Sequence, residues 1–315
     1  MQKRKIWENF LQWVLPCVLL VIALVLSIYD FNNKMEIAIQ TVVDDQAHQI
    51  GLYYAAGVED KLKALGNITD AVASIMAARL DRGEAFLNEK LDTLMKASDA
   101  YMVVYCATNG TGFLNDRRQI DMTELNYYDS ILGETPHYLF TRSDGINGQM
   151  AFIYVCPITN SGNVNGYLLS YMEPAEMSDL FENSVYGDRA FFSLVDRNGT
   201  IMACYGATQG TKILQNDFWN SLKGVAESLG SWTLFDRQQQ KGDNGILHVN
   251  ENGVGKILCH FPIADTAWNL VVGIDESYLS GIQQSFRGPI VDLIVKISIS
   301  IAAALIVITV INVLV

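Results

Sequence analysis

The chain has 315 residues, half of them hydrophobic, and a formal net charge of −12. That charge leaves no basic surface for phosphates, so nucleic acid is excluded as a partner. The hydrophobic excess, concentrated at the two ends, argues against a wholly soluble protein.

From Phe10 to Tyr29 the run is interrupted only by Gln12 and Ser27 before its final tyrosine. Twenty helical residues at about 1.5 Å each span roughly 30 Å, a bilayer's hydrocarbon thickness. A cleaved signal peptide would have a shorter apolar core and a small-residue cleavage site, and Ser27-Ile28-Tyr29-Asp30-Phe31 offers none. Residues 10–29 are therefore expected to be an uncleaved transmembrane helix, and residues 293–315 a second one, with Lys296 snorkelling near one end. Lys3, Arg4 and Lys5 precede the first span. Cytoplasmic flanks collect such charges, so residues 1–9 are expected in the cytoplasm and about 32–288 outside a bacterial plasma membrane. Because the chain stops on apolar Val315, it reads as a fragment of a longer product.

Residues 32–94 are expected to form a stalk helix. No proline interrupts the stretch to about Leu80, and Ile39, Val42, Val43, Ile50, Tyr53, Tyr54, Leu62, Leu65, Ile68, Val72, Ile75 and Met76 recur at helical spacing. Gly51, Gly57 and Gly66 count against a straight rod.

Beyond Ala97 the texture turns to short strands. Tyr101–Cys106 runs into Thr108-Asn109-Gly110, a hairpin signal. Two strands, 150–158 and 166–172, flank a turn cluster at 159–163. A strand at 190–196 turns on Asn198-Gly199-Thr200, and 256–263 and 268–274 make a further pair. The features repeat in order. Both 102–107 and 191–196 lead to Asn-Gly-Thr, while Val155-Cys156-Pro157-Ile158 parallels His260-Phe261-Pro262-Ile263. Two tandem α+β modules follow, 95–180 and 181–275, then a juxtamembrane helix at 276–292.

Cys106, Cys156, Cys204 and Cys259 each end a strand-like stretch. Outside the cytoplasm they could pair, or pack as small buried hydrophobes. Phosphate-loop, dinucleotide and nucleophile-elbow motifs are missing. Cys259 and His260 adjoin in a strand, so they face opposite ways and cannot share a metal. The chain is expected to have no enzymatic activity, metal or cofactor of its own.

The external region, about 32–286, resembles the double Cache domain of bacterial chemoreceptors, sensor kinases and membrane diguanylate cyclases. The resemblance rests on Tyr127-Tyr128-Asp129-Ser130-Ile131-Leu132-Gly133-Glu134-Thr135, on Cys156-Pro157-Ile158 followed by 162–169, on Ser193–Met202 and on Trp268–Val272, in that order. It implies two PAS-like modules on a long stalk, with a small-molecule ligand held in the membrane-distal module between its sheet and the Tyr127-Tyr128 segment. Tyr105, Tyr127, Tyr128, Tyr138, Phe140, Tyr154 and Tyr171 are the candidate contacts, since tyrosine offers apolar area and a directional hydroxyl. Core packing would produce the same alternation along the strands. The amino-acid-sensing branch of the family carries an arginine and an aspartate where this chain has Leu125 and, nearby, Tyr171. A carboxylate clamp is therefore missing, and Arg117, Arg118, Arg142 and Asp144 are the alternative charges.

The expected role is the sensory input of a diguanylate cyclase or histidine kinase whose output lies beyond Val315. Membrane lipid and a second copy across the stalk helices are the expected partners. A tethered structural or adhesive surface protein is the alternative.

Overall fold

A computed structural model describes residues 2–79, 83–182, 187–206, 217–278, 288, 291–301, 303–304 and 307. The chain divides into two compact units, Ala47–Asp275 and Met1–Gln46 with Glu276–Val315. Among the described residues no helix is long and apolar enough to cross a membrane. The first expected span is helical throughout, but most of its side chains, and much of 293–315, lie outside the described residues.

Helix α1 runs from Gln2 to Ala77 and α2 from Glu84 to Ala97. The 32–94 segment is thus two helices rather than one. Gly83, at φ 82°, precedes the first turn of α2, a left-handed geometry that a helix interior cannot contain. Within the larger unit, α1 buries Ala47, Gly51, Tyr54, Ala55, Val58, Leu62, Leu65, Gly66, Thr69, Val72, Ala73 and Met76, a stripe of single residues and adjacent pairs that recurs every three or four positions. Three residues of the expected apolar stripe fall outside that face: Val42, Tyr53 and Ile75 are 56%, 74% and 47% exposed.

Eleven strands follow among the described residues: β1 (Met102–Ala107), β2 (Thr111–Leu114), β3 (Gln119–Asp121), β4 (His137–Thr141), β5 (Ala151–Asn160), β6 (Asn163–Met172), β7 (Ala190–Asp196), β8 (Ile201–Gly206), β9 (Gly245–Glu251), β10 (Val254–Pro262) and β11 (Trp268–Asp275). Short helices α3 (Tyr128–Ile131) and α4 (Ser178–Glu182) accompany the first six strands, and α5 (Phe218–Lys223) and α6 (Leu229–Lys241) the last five. The first sheet has the order β3-β2-β1-β6-β5-β4, the second β8-β7-β11-β10-β9, and every pairing is antiparallel. Matching β7 to β1 and β10 to β5 makes the second order identical to the first without β3. The repeated sequence features are therefore two copies of one topology.

The prolines obey the same logic. Pro157 lies past Val155, where β4 pairing with β5 ends; Pro262 lies past His260, where β9 pairing with β10 ends. A residue without an N–H is tolerated where the neighbouring strand has stopped.

Each sheet lays one face on α1, and the helix glycines are where it does so. A Cβ on Gly51 would stand 2.0 Å from the Phe261 ring. On Gly66 it would meet the Tyr138 hydroxyl at 2.9 Å and the Tyr154 ring at 3.2 Å. Around Gly66 the contact is also polar. Thr69 and Ser170 hydroxyls lie 2.7 Å apart, the Tyr154 hydroxyl donates to Asp70, and Tyr138 donates to the Leu62 carbonyl. Glycine in these places costs helix propensity and gains close packing.

Register also settles the cysteines. Cys106 pairs with Tyr167 and Cys156 with Leu168, which puts them on opposite faces of the first sheet. Following the pairings across β8, β7, β11 and β10 places Cys204 and Cys259 on opposite faces of the second. None can bridge within its own sheet, and all four are thiols. Burial pushes Cys106 and Cys204 up to about 11 and Cys156 to about 12, so they pack as hydrophobes rather than react as thiolates.

If Gly51 is a packing seat, Gly51→Ala destabilises by about 1–3 kcal/mol through overpacking. The nearest atom to a Cβ at Gly57 is Leu180 at 3.5 Å. Gly57→Ala should instead stabilise by about 0.5–1 kcal/mol. Urea unfolding of the two variants reads the opposite signs.

Candidate ligand-binding site

The other face of the first sheet, away from α1, carries Met102, Val104 and Cys106 of β1, Tyr167, Leu169 and Tyr171 of β6, and Ile153 and Val155 of β5. It is covered by the chain from β3 through α3, and by the loop joining β4 to β5.

Asp144 holds that loop. Wholly buried, its Oδ1 accepts the backbone N–H groups of Ile146, Asn147 and Gly148 at 2.7–2.9 Å, and its Oδ2 accepts the Tyr101 hydroxyl at 2.8 Å. Burial alone would raise its carboxyl. The three amides and the tyrosine outweigh it and hold the group below its ordinary range. The Tyr127 hydroxyl donates to the Asp144 carbonyl at 2.7 Å, so the Tyr171 hydroxyl, 3.1 Å away, donates to Tyr127. Burial pushes Tyr127 up to about 12 and Tyr171 well above its usual value, so both stay neutral. Three tyrosines and one aspartate thus form a continuous chain of hydrogen bonds on the sheet.

Beside this network opens a cavity of about 510 Å³, lined by Arg118 and Ile120, by Asp121, Glu124, Leu125 and Asn126, and by Ser143, Gly145 and Ile146 of the β4–β5 loop. Ile120, Leu125 and Ile146 supply apolar wall and pack against the core below. A Cβ on Gly145 would stand 2.6 Å from Leu125, so glycine lets the loop come down onto that side chain. The rim holds more negative than positive charge. Arg118 is already engaged, its Nε donating to Asp116 at 2.6 Å and a terminal nitrogen to Asn147 at 3.3 Å. Asp121 caps the following turn through the Thr123 N–H and hydroxyl, which hold its carboxyl below the usual range. Such a pocket suits a small molecule with an apolar arm and a neutral or cationic polar end.

The seven residues expected to line one pocket are divided by the sheet. Tyr127 and Tyr171 lie in the hydroxyl network, and Tyr128 packs half-buried beside them. Tyr105, Tyr138, Phe140 and Tyr154 face the α1 side. Cross-strand pairing puts Tyr138 opposite Tyr154 and Phe140 opposite Phe152, while Tyr105 stacks on Phe113 and donates to the Asn165 carbonyl. None of these four can reach the covered face, because successive strand residues alternate. Of the alternative charges, Arg118 is at the rim and Asp144 beneath the loop. The wall residues Ile120, Asp121, Glu124, Asn126, Ser143, Gly145 and Ile146 were not singled out from sequence. The one signal available was the turn-forming Ser143-Asp144-Gly145-Ile146-Asn147-Gly148.

No protein-family model matches the sequence, and no curated protein matches it. Solved structures do. The ligand-binding domain of the Pseudomonas fluorescens chemoreceptor CtaA, in complex with L-isoleucine, aligns with TM-score 0.60 at 14% identity over 78% of this chain and 97% of that one. The ligand-binding domain of the Campylobacter jejuni chemoreceptor Tlp3, in complex with L-valine, aligns with TM-score 0.59 at 15% identity, over 78% and 98%. The extracellular domain assigned to the histidine kinase rpHK1S-Z16 aligns with TM-score 0.56 at 15% identity, over 74% and 93%.

Hydrogen bonds to a buried charge are worth about 1.5–3 kcal/mol each, with losses that do not add. Asp144→Ala should therefore cost about 3 kcal/mol and Tyr127→Phe about 1–2 kcal/mol in urea unfolding at neutral pH. The native carboxyl of Asp144 is lowered, so its contribution is present above the ordinary carboxylate range and lost as pH falls through the native value. The gap between wild type and Asp144→Ala should accordingly close in acid. With its long helix and two antiparallel sheets of one shared strand order, the chain has the fold of a double Cache sensory domain.

Proposed function

We propose that this chain is the sensory input of a bacterial membrane receptor, and that its first module binds a small neutral or amine-bearing molecule in the cavity between Leu125 and the β4–β5 loop. The observation that carries the reading is the position of that cavity. It lies on the sheet face turned away from α1, so a ligand can enter without disturbing the helix seat. Three structural neighbours are sensory ligand-binding or extracellular domains, two of them solved with an aliphatic amino acid, which supports small-molecule sensing. Leu125 at the arginine position and the acidic rim argue for a ligand other than a free amino acid. On this reading residues 10–29 and 293–315 span the membrane, and the module from 95 is the distal one. A second copy packs along α1, where Tyr53 and Ile75 are exposed, and a histidine kinase or diguanylate cyclase carries the output.

A thermal-shift screen of the purified chain against amines, polyols and amino acids tests the site. A ligand at a hundred times its dissociation constant adds about 2.7 kcal/mol of stability, a shift of several degrees. Leu125→Trp fills the cavity and should abolish that shift; an undiminished shift in the variant would place the ligand elsewhere. The topology is tested separately. Alkaline phosphatase inserted near residue 252 should be active in whole cells, and green fluorescent protein at the same point dark.

A further inference from the structure

On its face away from α1, the second sheet carries α5 and α6 over a layer of Phe191, Phe218, Trp219, Trp232, Phe235, Leu258 and Val271. Three polar side chains interrupt that layer. His260 of β10 is wholly buried, Asn269 of β11 is 5% exposed and Gln239 of α6 7% exposed. Neither His260 ring nitrogen, nor Asn269 Oδ1, nor Gln239 Nε2 makes a hydrogen bond of good geometry in the protein, although the Phe235 carbonyl and the Asn269 side chain lie close enough to the imidazole to favour its charged form. Register puts His260 opposite Val271 and Asn269 opposite Pro262, so the two polar residues are diagonal neighbours on one face.

Aromatic rings close around the imidazole. Phe235 meets it edge-on at 4.5 Å between centroids, and Trp219 at 6.2 Å. Gly245 faces it from β9, where a Cβ would stand 2.4 Å from Nε2 and 3.0 Å from Gln238 Oε1. A leucine at 260, like Leu258 two residues before it, would fill the space with no polar atom to satisfy. Leaving buried polar atoms unpaired is costly, so such a group in a native core calls for an explanation. Among the described residues the charged group acting on His260 is Asp243, just past α6. Farther along the same face of β10, Lys256 is held by Glu251 at 2.9 Å, and it lies over Phe191. From α5 the facing side chain is Trp219, from β11 Asn269, and from β9 glycine. Asp243 apart, no carboxylate among the described residues acts on the imidazole, and burial outweighs Asp243.

We infer that His260 is a proton-binding site of the second module: on acidification the imidazole takes a proton from water, and the module shifts toward a conformer in which α6 lifts from the sheet and the imidazolium is hydrated. The input is independent of the cavity in the first module.

In the closed conformer burial holds His260 down to about 4, and the Phe235 carbonyl, Asn269 and Asp243 offset burial only in part. Exposed to water in the open conformer, it returns to about 6.5. A lowered value in the closed form means that closure is favoured above about 6.5, and that the preference is lost as pH falls toward about 4. Between pH 7.5 and pH 5 the opening equilibrium should rise about 30-fold.

Hydrogen-exchange mass spectrometry on the purified full chain tests this. After correction for intrinsic exchange rates, peptides from α6 and β10 should open about 30-fold more at pH 5 than at pH 7.5, while β1 and β5 stay unchanged. His260→Phe should remove the pH dependence and leave it intact in no peptide of the second module. His260→Gln serves if the phenylalanine variant does not fold. Imidazole C–H exchange on the unaltered chain should show His260 still neutral at pH 5.5. An equal pH response in the variants, or a native His260 titrating near 6.5, overturns the inference. Leu125→Trp should leave the acid response untouched, which separates it from the ligand reading.

Discussion

Both sheets depend on how closely they can approach one helix. Phe261 occupies the place of a side chain at Gly51, and Tyr138 and Tyr154 occupy that of one at Gly66. The glycines weaken α1 as an isolated helix, yet it stays continuous because tertiary packing supplies more than propensity withdraws. At Gly66 the seat also satisfies polar groups. Thr69 donates to the Leu65 carbonyl, so Ser170 must be the donor to Thr69, and the Tyr154 phenol completes an Asp70 carboxylate. Burial and the Asp70 charge keep that phenol protonated, and it remains a donor to the helix.

From this seat follows a division of labour between the two faces of each sheet. The helix side is a close-packed joint, and it continues from one module to the other: Trp268 of β11 packs on Phe152 and Tyr138 of the first sheet, with ring centroids 5.2 and 6.2 Å apart. The opposite side is free to differ. In the first module it is covered by irregular chain, held down by hydrogen bonds to Asp144 and the tyrosines, which leaves room for a cavity. In the second it is covered by two helices that present tryptophans and phenylalanines. Equal strand order has therefore produced two different chemistries, because what varies is the covering segment and not the sheet.

Much of this was legible in the sequence. The repeated strand–turn–strand order gave two modules, and Asn109-Gly110 and Asn198-Gly199 do close hairpins, with glycine φ of 86° and 87°. What the sequence withheld was the face. Alternation says that Tyr138 and Phe140 point the same way; it does not say whether that way leads to the covered face or to α1. The answer depends on strand order and on the helix glycines, and both are long-range facts. The aromatic residues chosen as one site were accordingly divided four to three by the sheet. The rim was hidden for another reason. Arg118, Asp121 and Glu124 are exposed polar residues in or beside very short elements, where composition looks like ordinary solvated loop. Only the fold of the β4–β5 loop, pinned by Asp144, makes them a wall.

The two faces meet most directly in β6. Tyr171 bonds to Tyr127 beneath the loop, and the next residue back, Ser170, bonds to Thr69 of α1. One peptide unit separates the floor of the covered face from the helix seat. β6 is paired on both edges, with β1 and with β5, so it cannot shift alone without breaking ladder bonds. A change beneath the loop that moves Tyr171 must either be absorbed by rotation of its side chain or carry the sheet with it. Side-chain rotation is constrained, since Tyr171 is wholly buried and its hydroxyl is bonded. A ligand can bias the helix seat only through a difference in affinity between two arrangements of these contacts. The physical place to look for those arrangements is the pair of hydroxyls on either side of this one strand.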